Sequence, residues 1–174
     1  MKRMGQTPAD DLAAVQLVLQ SGTANNPALP DNLVPLVIAQ AQNESNNFSS
    51  NVFDQTNNCF GYTTPSTYGV STFEGFAVYN SVSDSAQEIV DYLYRRQADQ
   101  SFPDLSTITT ADQYAQLLSA AGYYTSSATD YASRIQSFLN QDVIQPIEQN
   151  PWTAAAVLGG LIIVGWLIFG GKKR

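Results

Sequence analysis

Apolar residues recur at helical spacing along most of the chain and at strand-like spacing in one short stretch. Over residues 10–20, Leu12, Val15, Leu17, Val18 and Leu19 share one broad side, which predicts a first helix ended by Ser21-Gly22. Residues 23–30 are rich in Asn and Pro and predict a loop. Asp31 suits the N-cap of a second helix that runs to about Ser45, with Pro35 in the first turn, where its missing N–H costs little. Residues 46–64 mix Asn and Ser with Phe48, Val52, Phe53 and Phe60, the pattern of an ordered loop around a site. Residues 61–79 hold Tyr62, Tyr68, Val70, Thr72, Phe73, Phe76, Val78 and Tyr79, broken by Pro65 and Gly75, and predict a short hairpin or three-stranded lobe.

Helical spacing then returns. A third helix over residues 83–97 is entered through Ser85/Glu88 or Ser81/Asp84 capping signals, with Ile89, Tyr92 and Leu93 inward. A fourth covers residues 110–121 and is closed by Gly122; a fifth covers residues 127–140, with Tyr131, Ile135 and Leu139 inward. The expected fold is mainly α, a helical body with one small β lobe, over residues 1–140.

Residues 141–151, with Pro146 and Pro151, read as a linker. Residues 152–171, from Trp152 to Gly171, carry no charge and only Thr153 as a polar break. As a helix they extend roughly 30 Å, the thickness of a bilayer core, which predicts a single C-terminal transmembrane helix. The basic tail Lys172-Lys173-Arg174 then sits among headgroups. The first eight residues lack the apolar run of a signal peptide, so membrane attachment is expected through the tail.

Charge narrows the chemistry. All fifteen acidic residues precede residue 150, against five basic ones, Lys2, Arg3, Arg95, Arg96 and Arg134. A domain about ten units negative by formal count is a poor match for nucleic acid, whose phosphates need clustered Lys and Arg. With no histidine and one cysteine, Cys59, the chain lacks the parts of Ser-His and Cys-His machinery and shows no metal-ligand spacing. No cofactor is expected, and carboxylates are left as the catalysts.

Glu44 stands out among them. At about 100° per residue it lies within roughly 20° of Leu33 and Val37, on the core side of the second helix at its C-terminal end. Loss of solvent and the negative end of the helix dipole both favour a carboxyl that keeps its proton there, as a general acid requires. A glutamate that snorkels to solvent from the last turn fits the spacing equally well.

Four ordered stretches carry a resemblance. They are Ala39-Gln40-Ala41-Gln42-Asn43-Glu44-Ser45, then Asn58-Cys59-Phe60-Gly61-Tyr62, then Phe76-Ala77-Val78-Tyr79-Asn80-Ser81 with Ser85, and last Gly122-Tyr123-Tyr124-Thr125 followed by Tyr131-Ala132. In order and spacing they resemble the AQxxLES, NLFG, FRxYxSxxxS and GYATDPxYA stretches of the endo-β-N-acetylglucosaminidases of glycoside hydrolase family 73, in the lysozyme-like superfamily. The chain departs from the pattern at Asn43, which stands for Leu, at Ala77, which stands for Arg, and by two extra residues before Tyr131.

The resemblance implies a lysozyme-like α+β fold and cleavage of the β-1,4 bonds of bacterial peptidoglycan. It implies that Glu44 is the proton donor, that Tyr123 lines the groove, and that Asn58, Phe60 and Gly61 shape its floor. Glu74, in the β lobe, is the leading second carboxylate and Asp54 the reserve. Without a second acid the chemistry is that of a lytic transglycosylase, which leaves anhydro-sugar ends. A non-catalytic structural protein that kept the fold is the other alternative. A small lytic domain with a tail anchor suits a bacteriophage virion, with the virion membrane or host membrane as its place and capsid proteins among its partners.

Overall fold

The computed structural model describes residues 6–63 and 67–141. The chain divides into a unit Met1–Val143 and a second unit Ile144–Arg174, and the described residues all lie in the first. The linker, the transmembrane helix expected over residues 152–171 and the basic tail lie outside the described residues. Among the described residues no helix is long and apolar enough to cross a membrane.

The body is helical. Helix α1 (Pro8–Ser21) opens with a capping box in which Asp10 N donates to Thr7 Oγ1 and Thr7 N to Asp10 Oδ2. Val15, Val18 and Leu19 are buried, but Leu17 is 65% exposed, so the apolar face is narrower than the spacing suggested. Helix α2 (Val34–Ser45) begins three residues later than Asp31. A turn precedes it, with Leu33 N and Val34 N both donating to Pro30 O, and Leu33 takes the cap position with no side-chain bond.

Nine of the twelve α2 residues are buried, which makes it the central helix. It packs against α1 and against α6 (Ala128–Leu139). Its polar side chains then need internal partners. Gln40 Oε1 accepts the Tyr114 hydroxyl, and Gln42 Nε2 donates to Asn47 Oδ1 at 3.2 Å.

Residues 51–56, expected as loop, form a short helix α3 (Asn51–Thr56), capped by Ser50. Six residues with two apolar side chains are too few to show a helical period, so the cap is the only local signal. The β lobe is a two-stranded antiparallel hairpin, β1 (Ser71–Phe73) and β2 (Phe76–Val78), on which α3 packs. Glu74 and Gly75 make its turn with φ +50° and +84°, the paired left-handed residues that a two-residue hairpin loop needs.

Helix α4 (Val82–Ala98) uses the Ser81/Asp84 capping box and packs on α1. A 3-10 turn at Leu105–Thr107 leads to α5 (Ala111–Ala120), which packs on α6. The core joins Val37, Ile38, Ile89, Leu93, Leu118 and Ile135, all essentially without exposure. The mainly helical body with a small β lobe matches the fold class that the pattern implied.

Candidate active site

Glu44 occupies the last turn of α2, where the chain stops abruptly. Asn46, Asn47 and Phe48 all have positive φ, between +51° and +58°, an uncommon run for residues with side chains. Ser45 holds the bend: its Oγ donates to Ala41 O at 2.6 Å and accepts Phe48 N at 2.8 Å. Phe48 is buried against the edge of Phe53, ring centroids 5.5 Å apart. The apolar anchor and the serine thus fix the helix end that carries Glu44.

The carboxylate is half-buried and its two oxygens differ. Oε1 accepts the Tyr131 hydroxyl at 2.7 Å and Asn43 Nδ2 at 3.0 Å. Oε2 faces Gly61, where a Cβ would stand 3.1 Å away. Gly61 has φ +69°, so glycine serves both the backbone and the clearance at this oxygen.

Tyr131 is itself held from two sides. Its ring stacks on Tyr124 at 3.9 Å and 14°, and the Tyr124 hydroxyl donates to Ala115 O on α5. Burial first, then the Glu44 charge, pushes the Tyr131 phenol far above its usual range. It therefore keeps its proton and acts as a donor to Glu44 throughout the working pH range.

Asn58 organises the loop beside the glutamate. It is 4% exposed, and its amide donates to Tyr62 O (2.8 Å) and Ala77 O (3.1 Å) while Oδ1 accepts Phe60 N and Tyr62 N. The side chain is saturated by the backbone it shapes. Phe60 is fully buried, so what it offers is its carbonyl, which accepts the Tyr123 hydroxyl at 2.5 Å. Tyr123 is half-buried, edge-on to Tyr62 at 5.6 Å and tilted against Tyr92 at 5.8 Å. Glu44, Gly61, Phe60, Asn58 and Tyr123 therefore form one connected cluster.

Glu74 is exposed in the hairpin turn. Asp54 sits half-buried in the first turn of α3. No group of His, Cys, Asp and Glu among the described residues has the arrangement of a metal site.

Two partners of Glu44 had no role assigned from sequence: Tyr131, expected as an inward residue and as part of the fourth matched stretch, and Asn43, a departure from the first. A tyrosine on an apolar helix face is a signal, because its buried hydroxyl needs a partner. Two buried carboxylates on α4 were also unforeseen. Asp91 accepts from Thr23 Oγ1 (2.7 Å), Asn26 Nδ2 (2.7 Å) and the Tyr68 hydroxyl (3.0 Å). Glu88 Oε2 accepts Tyr68 N at 3.3 Å. They fasten two loops to α4.

The family model described as mannosyl-glycoprotein endo-β-N-acetylglucosaminidase matches residues 31–142 of the chain. No curated protein and no solved structure matches.

Proposed function

The chain belongs to the glucosaminidase family, glycoside hydrolases that act on peptidoglycan, and from that premise we propose that Glu44 is the proton donor to the glycosidic oxygen. One observation carries the assignment: Oε1 is engaged by Tyr131 and Asn43, while Oε2 is left facing the clearance at Gly61. With both of those hydrogen bonds accepted by Oε1, the oxygen open to carry a proton is Oε2. Oε2 is then the atom that delivers it, and the bond between the sugars breaks as oxocarbenium character develops at the anomeric carbon. Tyr123 and the loop of Asn58, Phe60 and Gly61 position the strand.

Glu74 is the carboxylate assigned to the second step, as nucleophile at a separation near 5 Å or as base for a water at roughly 6.5–9.5 Å. A second reading, the lytic transglycosylase, is favoured by the exposed place of Glu74 in the hairpin turn, where no other described residue is shown holding its side chain towards a substrate. There Glu44 acts as acid and then as base, and the muramyl hydroxyl closes the ring.

Full-length protein incubated with purified peptidoglycan decides between them. Reducing N-acetylglucosamine ends, lost in Glu44→Gln, are the expected product. Anhydro-muramyl ends would establish the transglycosylase, and an inactive but folded wild type would mean a structural role.

The setting we propose is a virion membrane of a bacteriophage, with residues 152–171 as anchor and host-wall penetration as the task. The uncharged twenty-residue stretch and the basic tail support it. The domain then faces the capsid side and the tail faces the genome. Protease treatment that removes the tail from intact virions while sparing the domain would exclude this arrangement.

A further inference from the structure

Among the described residues the only cations are Arg95, Arg96 and Arg134, against thirteen carboxylates. Each stands over a tyrosine. Arg95 and Arg96 lie 5.9 and 5.4 Å from the centre of the Tyr92 ring, and Arg134 lies 5.4 Å from that of Tyr131. Tyr92 packs against Tyr62 and Tyr123, and Tyr131 bonds to Glu44. Contacts therefore link Arg134 through the buried Tyr131 to Glu44, and by way of Gly61 and the Phe60 carbonyl to the half-buried rings of Tyr123, Tyr62 and Tyr92, over which Arg95 and Arg96 lie.

The three arginines are not equivalent. Arg96 donates to Ala121 O and pairs with Asp99 at 3.9 Å, so it fastens the turn before Tyr123. Arg95 and Arg134 are exposed, and the Arg95 charge acts downward on the nearby Glu88 and Asp99 carboxyls. A cation in the last turn of α4 complements the helix dipole, which accounts for Arg95 in part. Arg134 is in the middle of α6 and has no such reason to be there; its one side-chain bond is to Ser126 Oγ at 3.0 Å.

Resting on the reading of the site as a peptidoglycan groove, we propose that Arg95 and Arg134 recognise the free carboxylates of the peptides carried by the glycan strand. Such a strand is a polyanion, and a domain with ten more negative than positive charges repels it. The half-buried faces of Tyr62, Tyr92 and Tyr123 suit the uncharged sugars, and the exposed Arg95 and Arg134 linked to this cluster accept the anionic branches and orient the strand. The site is thus selective for peptide-bearing glycan over bare glycan.

The test uses the full-length protein in mild detergent, with glycan strands that keep their peptides and the same strands stripped of them. The wild type is expected to show a kcat/KM about fivefold or more higher on peptide-bearing strands at low salt, with the advantage gone near ~0.5 M salt. Arg95→Gln/Arg134→Gln should collapse that ratio towards one, chiefly through KM, and Arg95→Lys/Arg134→Lys should restore most of it. A wild-type ratio of one, or a double variant that loses equally on both substrates, overturns the proposal. Co-sedimentation with intact and stripped sacculi gives the same ratio without turnover, so an inactive wild type refutes the reading of the site and leaves this proposal still decided.

Discussion

The Tyr131 hydroxyl donates to Glu44 Oε1 across 2.7 Å, joining the first turns of α6 to the last turn of α2. Tyr131→Phe removes the donor and keeps the ring that stacks on Tyr124. A hydrogen bond to a carboxylate is worth about 1.5–3 kcal/mol, so kcat should fall about 10- to 100-fold. Circular dichroism should show the fold retained. Unchanged kcat would remove Tyr131 from the positioning of the acid.

Gly61 and Gly122 share φ +69°, but only Gly61 has a neighbour within 4 Å of an added Cβ, and that neighbour is Glu44. Alanine costs roughly 1 kcal/mol of backbone strain at either position. Gly61→Ala should also lose activity by about 100-fold, because Glu44 must shift. Gly122→Ala should show the strain without that loss. Melting curves and kcat for the pair separate the two effects.

Glu74→Gln tests the second carboxylate. Loss of a nucleophile or general base should lower kcat by about 100-fold or more with the melting temperature unchanged, since the side chain is exposed. Full activity in this variant would assign the whole reaction to Glu44 and should coincide with anhydro-muramyl products.

The buried carboxylates of α4 respond to pH in opposite directions. Burial raises the Glu88 carboxyl above its ordinary 4.5. Its contribution to stability is therefore full below that value and is lost as pH rises through the folded value. Burial also acts upward on Asp91, but the bonds from Thr23, Asn26 and Tyr68 outweigh it and hold the group below its ordinary 3.8. Its contribution is present above 3.8 and is lost as pH falls through the folded value. Denaturant titrations should show Glu88→Gln gaining on the wild type as pH rises from 4 to 7. Asp91→Asn should lose most at neutral pH, and the deficit should shrink in acid.

Some capped helix starts were legible and others were not: Thr7 caps an α1 that begins at Pro8 rather than at residue 10, and Ser50 caps a helix expected as loop. Thr110 and Ser127 stand at the starts expected for α5 and α6, and of the two capping signals before α4 the structure uses Ser81 with Asp84. The start of α2 was misplaced because its first turn is set by Pro30 O, a backbone acceptor that leaves no trace in residue type. Helix α3 was missed because one and a half turns give no period. Glu44 was singled out by its place at a helix end, and the loop from Asn58 to Gly61 only through its resemblance to the family's stretches; the structure sets Gly61 beside Glu44. The Tyr131 contact could not be found from sequence, because 87 residues separate the partners and only the packing of α6 on α2 brings them together.

That separation sets the timing of the active site during synthesis. The acid is made a quarter of the way along the chain, yet its phenol partner belongs to the last described helix. A nascent chain still short of residue 131 carries Glu44 and its neighbour Asn43 without the Tyr131 donor and without the α6 surface that covers α2. The producing cell therefore meets an armed glutamate only after the whole domain has left the ribosome.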